Sequence, residues 1–315
     1  MKYYLKNLFL IGLIGMVLAG SFLASSAQAA KKPLQLVYPN KVCYEPFIIA
    51  EAKGYFAAEG LEVDVKLVGG GILAAESLMT GAADVAAMGD APFLIAASRS
   101  ERVRLLTGYA GGSKMHRLIS RRGLIDVKQL EGARVGIQMG SSTYGALLAW
   151  SKYAGLDVKK IEFVPLSPLD MPQAMQTGQI DAMAGSEPWP SNVEALCADS
   201  VHELTDFSAL NNSFPLVVAS SKQTLSERKE DLDSLIRGLQ RAVAFMHENP
   251  DETVRIVAAV TGLPEEQQRK CTYRLNWQIG FDENDSSSMA MTASYLKSLG
   301  KIEMIPEFSA AFRKR

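Results

Sequence analysis

Gly140-Ser-Ser-Thr-Tyr-Gly145 follows the apolar run 133–138 and opens a pattern of helical period, so it lies where a strand passes into a helix. Such a junction can receive an anion. The first N–H groups of a helix have no acceptor within it, the dipole's positive end adds to them, and serine and threonine hydroxyls can donate beside them. Either Ser141 or Ser142 would also serve simply as the N-cap of a buried helix, with Thr143 in its first turn. The segment lacks the lysine and the glycine spacing of a nucleotide P-loop, which argues against a triphosphate site. Two proline-aromatic corners accompany it. Gly89-Asp90-Ala91-Pro92-Phe93 and Ser186-Glu187-Pro188-Trp189 each leave an apolar run and enter a helix with proline in its first turn. Trp189 would lie over a ligand or fill core. Asp90 and Glu187 would repel an anion unless the ligand also carried a cationic or donor group.

Lys114, His116 and Arg117 lie on a strand pattern, where alternation places Lys114 and His116 on one face and Arg117 on the other. One face would see the ligand, or the whole stretch would be solvated. Asp84 and Asp181 stand just before apolar strands and read as turn or cap carboxylates, not acid–base catalysts. No GxSxG, HExxH or Cys/His pairing at motif spacing is present, so neither catalysis nor a metal or cofactor is expected.

The elements that hold these residues alternate. A strand at 34–38, a helix at 46–60 closed by Gly60, a half-buried strand at 61–68, a helix after Gly69–Gly71 and a strand at 84–89 form β-α-β-α-β, an α/β unit. The plan recurs about 95 residues later with a strand at 133–138, a helix at 142–155, a strand at 161–166, a short helix, and a strand ending at Ser186. Thr80, Gly81 and Asp84 match Thr177, Gly178 and Asp181 at an offset of 97, so the duplication is taken as real. Ligands of open α/β sheets bind beyond the carboxyl ends of strands. Four loops, near 40–46, 89–93, 140–144 and 186–189, would therefore converge on one cleft. The segments 103–123 and 214–221 read as strands where the chain crosses between lobes. The tail reads helical at 227–249, 251–262 and 289–300.

The amino terminus carries Lys2 and Lys6, an uncharged run over 8–20 and the small-x-small site Ala27-Gln28-Ala29. Residues 1–30 are expected to be a cleaved signal peptide. Ser21 stands where a lipoprotein would need cysteine, so a released protein without a membrane anchor is expected. With a net charge of −1 and no long basic block, nucleic acid is not an expected partner. Three cysteines, Cys43, Cys197 and Cys271, allow at most one disulfide and match no zinc spacing. Cys197 and Cys271 are read as buried single thiols.

The segments PFIIAEAKGYFAAEGLEV, TGAADVAAMGDAP, DVKQLEGARVGIQMGSST, GQIDAMAGSEPW and ASYLKSLGKI resemble the periplasmic binding proteins of ABC importers for aliphatic sulfonates, nitrate and taurine, a group that includes binders of thiamine-pyrimidine precursors. The likeness runs from about residue 33 to 305. It implies an α/β, two-lobed periplasmic binding protein fold of type II with two hinge crossings. Lobe 1 would comprise 31–117 and 219–315, and lobe 2 would comprise 118–218. It further implies that Ser141, Ser142 and Thr143 donate to an anionic head, and that Gly89, Asp90, Ala91, Glu187, Trp189, Cys43, Tyr44 and Glu45 line the cleft. His116 stands where many relatives carry a small or acidic residue. The expected role is capture of a small anionic solute in the periplasm and delivery to an ABC permease and its ATPase. A pyrimidine-precursor binder, a pyrimidine-synthesising enzyme of the same fold, and a sensing subunit for a receptor or kinase are the alternatives.

Overall fold

The computed structural model describes residues 32–311, and the signal peptide expected over 1–30 lies outside them. Two sheets organise the chain from Leu34 onward. The first runs β2-β1-β3-β10-β4-β11, with β1 Leu34–Pro39, β2 Val63–Val68, β3 Val85–Gly89, β4 Val103–Gly111, β10 Leu216–Ser221 and β11 Asn276–Trp277. The second runs β7-β6-β8-β5-β9, with β5 His116–Arg121, β6 Arg134–Ile137, β7 Glu162–Pro165, β8 Ala182–Ser186 and β9 Val201–Asp206. In each sheet a parallel triple, β2-β1-β3 or β7-β6-β8, is followed by one antiparallel strand, β10 or β5. That shared order is the duplication seen in sequence.

The crossing strands are exchanged between the sheets. β5 follows β4 in the chain but pairs in the second sheet, and β10 follows β9 but pairs in the first. The lobe boundaries expected at 117/118 and 218/219 thus fall inside β5 and β10, while the sheets change between Gly111 and His116 and between Asp206 and Leu216.

Asp84 and Asp181 do the same work in both repeats. Asp84 Oδ2 accepts the Gln35 amide at 2.9 Å, and Asp181 Oδ2 accepts the Arg134 amide at 3.0 Å. Each carboxylate fastens the start of its central parallel strand.

Burial follows the alternation of side chains along each strand. Leu36, Phe47, Leu106, Tyr109, Val135 and Leu147 share the largest apolar cluster. Val37, the neighbour of Leu36 on β1, points to a different cluster with Met88, Phe93 and Met289. In the second sheet Ile119, Ile180, Met183 and Val193 form a third.

Local departures have local causes. The pattern over 46–60 is two helices, Glu45–Ala52 and Tyr55–Ala58, because Gly54 takes φ 66° and ends the first. A further helix, Glu265–Thr272, has a polar composition that concealed it. All three cysteines are free, and Cys197 is half-buried where a buried thiol was expected. Among the described residues no helix is long and apolar enough to cross a membrane.

Candidate functional site

The carboxyl ends of β1, β3, β6 and β8 converge, as strand-end logic requires, on one cavity of about 60 Å³ between the two sheets. Ser142 and Trp189 both line it. Five helices begin at its wall: Gly71–Thr80, Asp90–Arg99, Ser142–Tyr153, Met171–Thr177 and Trp189–Cys197. Each presents its amino-terminal end, so the backbone alone makes the cavity electropositive.

Ser141 is the cap of its helix. Its hydroxyl donates to Gln138 O at 2.7 Å and accepts the Tyr144 amide at 3.2 Å. The amides of Ser142 and Thr143, in the first turn, have no acceptor within the helix. Gly89 faces them across the cavity, and a Cβ built there would collide with Ser142 Oγ. Glycine at this corner is a matter of close approach between the halves.

His116 also lines the wall. Its Nδ1 bonds Thr143 Oγ1 at 2.9 Å, and the ring sits edge-on to Phe214 at 5.0 Å between centroids. Nε2 is buried without a protein partner. Burial, with the Lys41 charge adding to it, pushes the imidazole down to about 3, so the ring is neutral. Lys114 does not share its face. Ser113–Met115 is a 3-10 turn, which breaks the alternation and leaves Lys114 exposed.

Lys41 and Cys43, just beyond β1, reach across to the second sheet. Lys41 Nζ donates to Ser186 Oγ at 2.8 Å, and the Cys43 thiol donates to Glu187 O at 3.5 Å. Burial pushes the Cys43 thiol up to about 11. Tyr44 lines the cavity beside it, and its ring packs on Tyr109 at 6.0 Å.

Four expected lining residues point elsewhere, three of them because of hydrogen-bonding demand. Asp90 turns back to cap its own helix, with Oδ1 accepting the Ala91 amide at 2.7 Å and Oδ2 accepting Thr292 Oγ1 at 2.7 Å. Glu187 does the equivalent in the other half, accepting the Ser191 amide at 3.4 Å and Arg117 Nη1 at 2.9 Å. Glu45 lies under the helix Glu265–Thr272, accepting Gln268 Nε2 at 2.9 Å and Thr272 Oγ1 at 2.8 Å. Ala91 is fully buried in apolar core. The Asp90 and Glu187 carboxylates are thus committed to protein partners and are not among the lining residues.

The cavity also includes residues not singled out from sequence, among them Lys41, Gly69–Gly71, Met115, Gln138 and Ser186. Lys41 stands within the strand-end window 40–46. The triple glycine before a helix, at the end of β2, was the other available signal.

Two buried groups set opposite pH limbs. Burial lifts the Glu45 carboxyl from 4.5 to about 8, against the Thr272 and Gln268 hydrogen bonds. It therefore holds its proton in the folded chain, and its stabilisation, complete below 4.5, is lost as pH rises through 8. His116, at about 3 folded against 6.5 unfolded, costs stability as pH falls below 6.5. Between 4.5 and 6.5 the slopes oppose, so urea denaturation should show a plateau there and a fall on either side. Glu45→Gln should flatten the alkaline limb and replace the plateau with a continued rise up to pH 6.5. An unchanged alkaline limb would show Glu45 to be ionised in the fold.

A two-lobed α/β fold whose strand ends and helix amino termini enclose a cavity is that of the periplasmic binding proteins. The chain belongs to the NMT1/THI5 like family, whose profile matches residues 43–253. It is 27% identical to the taurine-binding periplasmic protein of Escherichia coli strain K12, with 90% of this chain and 92% of that protein covered. Among solved structures it resembles the alkanesulfonate-binding protein SsuA of Xanthomonas axonopodis pv. citri bound to MOPS, with TM-score 0.77 and 21% identity over 88% of this chain and 96% of that one. The periplasmic aliphatic sulphonate binding protein SsuA of Escherichia coli also gives TM-score 0.77, at 19% identity over 91% and 96%.

Proposed function

We propose that the protein captures a small anionic solute of the sulfonate, taurine or nitrate kind in the cavity between its lobes, in the periplasm, and delivers it to an ABC permease and ATPase. The observation that carries this reading is the convergence of five helix amino termini and Lys41 on one cavity. The names of the taurine- and sulfonate-binding relatives agree with it. Lys41, Cys43 and Gly89 from one half and Ser142, Thr143 and Ser186 from the other line the cavity, so a ligand in it would touch both halves at once. Ligand contacts present only when the lobes are together favour closure. Catalysis has less support. Cys43 is a protonated thiol committed to a carbonyl, and His116 is bonded to Thr143, not to the thiol.

A thermal-shift screen of sulfonates, taurine, nitrate, bicarbonate, phosphonates and pyrimidines tests the reading. Saturation near 100 times Kd adds about 2.7 kcal/mol of stability. Replacing Ser142 and Thr143 together with alanine removes two hydroxyl donors, each worth about 1.5–3 kcal/mol to a charged acceptor. The best ligand's affinity should fall roughly 100-fold or more. An undiminished shift in that double variant would place the site elsewhere.

A further inference from the structure

The charges around the cavity are one-sided. No aspartate or glutamate is among the described residues that line it, because Asp90, Glu187 and Glu45 are all turned to partners behind the wall. Lys41 is the lining side chain that carries a charge, and it makes no ion pair among the described residues. Its recorded partner, Ser186 Oγ, is neutral. His116 is 1% exposed, and its Nε2 has no protein partner. Its Nδ1 is committed to Thr143 Oγ1 at 2.9 Å, so Nε2 is the ring nitrogen left for a ligand.

From this arrangement we infer that the cavity selects an anion carrying no cationic group, and rejects an amino-substituted anion relative to an unsubstituted one of the same size. The inference rests on the solute-binding reading above and narrows it. A protonated amine taken into the cavity gives up much of its hydration and needs a carboxylate or several strong acceptors in exchange. Here it would meet an ammonium and the positive ends of five helices. Gln138 and the hydroxyls offer only uncharged acceptors. The cavity of about 60 Å³ corresponds to only a few water molecules, so a bound solute is held close to these groups.

The test is titration calorimetry of the purified protein at pH 7 with three matched probes: ethanesulfonate, 2-hydroxyethanesulfonate and 2-aminoethanesulfonate, with nitrate as a fourth. The expected result is that ethanesulfonate or its hydroxyl analogue binds, and that the amino compound binds at least ~100-fold more weakly. Ser186→Asp, which supplies a carboxylate at the rim, should reduce that ratio at least tenfold. If the amino compound binds as tightly as ethanesulfonate or tighter, the charge selection is wrong while anion capture stands. If none of the four binds, the solute-binding reading falls and this inference with it.

Discussion

Replacing Lys41 with alanine is expected to weaken anion binding by two to three powers of ten while leaving the ligand-free protein about as stable as before. The lysine stands just beyond β1, its ammonium bonded to Ser186 Oγ at 2.8 Å and unpaired with any carboxylate among the described residues. Where bound ligand covers the pair, losing one partner of a charged hydrogen bond costs about 2–5 kcal/mol, whereas an exposed pair costs under about 1. Folding loses only one bond to a neutral hydroxyl, worth about 1 kcal/mol. Titration calorimetry with the best ligand, alongside urea denaturation of the ligand-free variant, separates the two effects. Lys41→Arg should keep part of the affinity, since the charge is retained and its geometry changes. A Lys41→Ala protein that binds within threefold of the original would show the helix ends to be sufficient alone.

The largest loss of stability is expected from Arg117→Met. The Arg117 side chain is 3% exposed and gathers Glu187, Glu194 and Glu203 around one guanidinium. Burial alone would lower its pKa, but the Glu194 hydrogen bond and the three carboxylate charges overcome that, so it stays charged. Glu187 is fully buried, and without Arg117 its remaining cationic partner among the described residues is the Arg274 guanidinium, at 3.5 Å. Breaking a buried pair from one side costs about 3–5 kcal/mol. Arg117→Met should therefore lower the urea midpoint by an amount of that size. Adding Glu187→Gln should return a large part of it, because the stranded charge is then gone. If the double variant is no more stable than the single one, the cost of Arg117→Met is lost packing instead.

The same arginine shows where reading the sequence stops. Alternation correctly separates Arg117 from His116, one facing the carboxylates and the other the cavity. Nothing in 116–117 indicates which face is which, because β9 and the helix Trp189–Cys197, which supply Glu203 and Glu194, lie more than seventy residues away. Asp90 and Glu187 make the same point. Their place at a strand end was legible, but a side chain at the first turn of a helix can point to the ligand or back to its own amides. Only the partners behind the wall, Thr292 for one and Arg117 for the other, decide between these.

What the sequence alone determined are properties set by period and by local backbone chemistry. Alternating strands and helices, two copies of one plan, capped helix starts and glycine or proline corners all depend on residues within a few positions of one another. From these the α/β fold, the crossing segments and the strand-end position of Ser141–Thr143 follow. The tertiary structure decided which way each polar side chain turns and which charge has no partner. Those choices are settled by hydrogen-bond and charge balance among groups far apart in the chain, such as Lys41 with Ser186 and Glu45 with Gln268. A buried polar group takes whatever partner the fold brings within about 3 Å, and linear spacing carries no record of that.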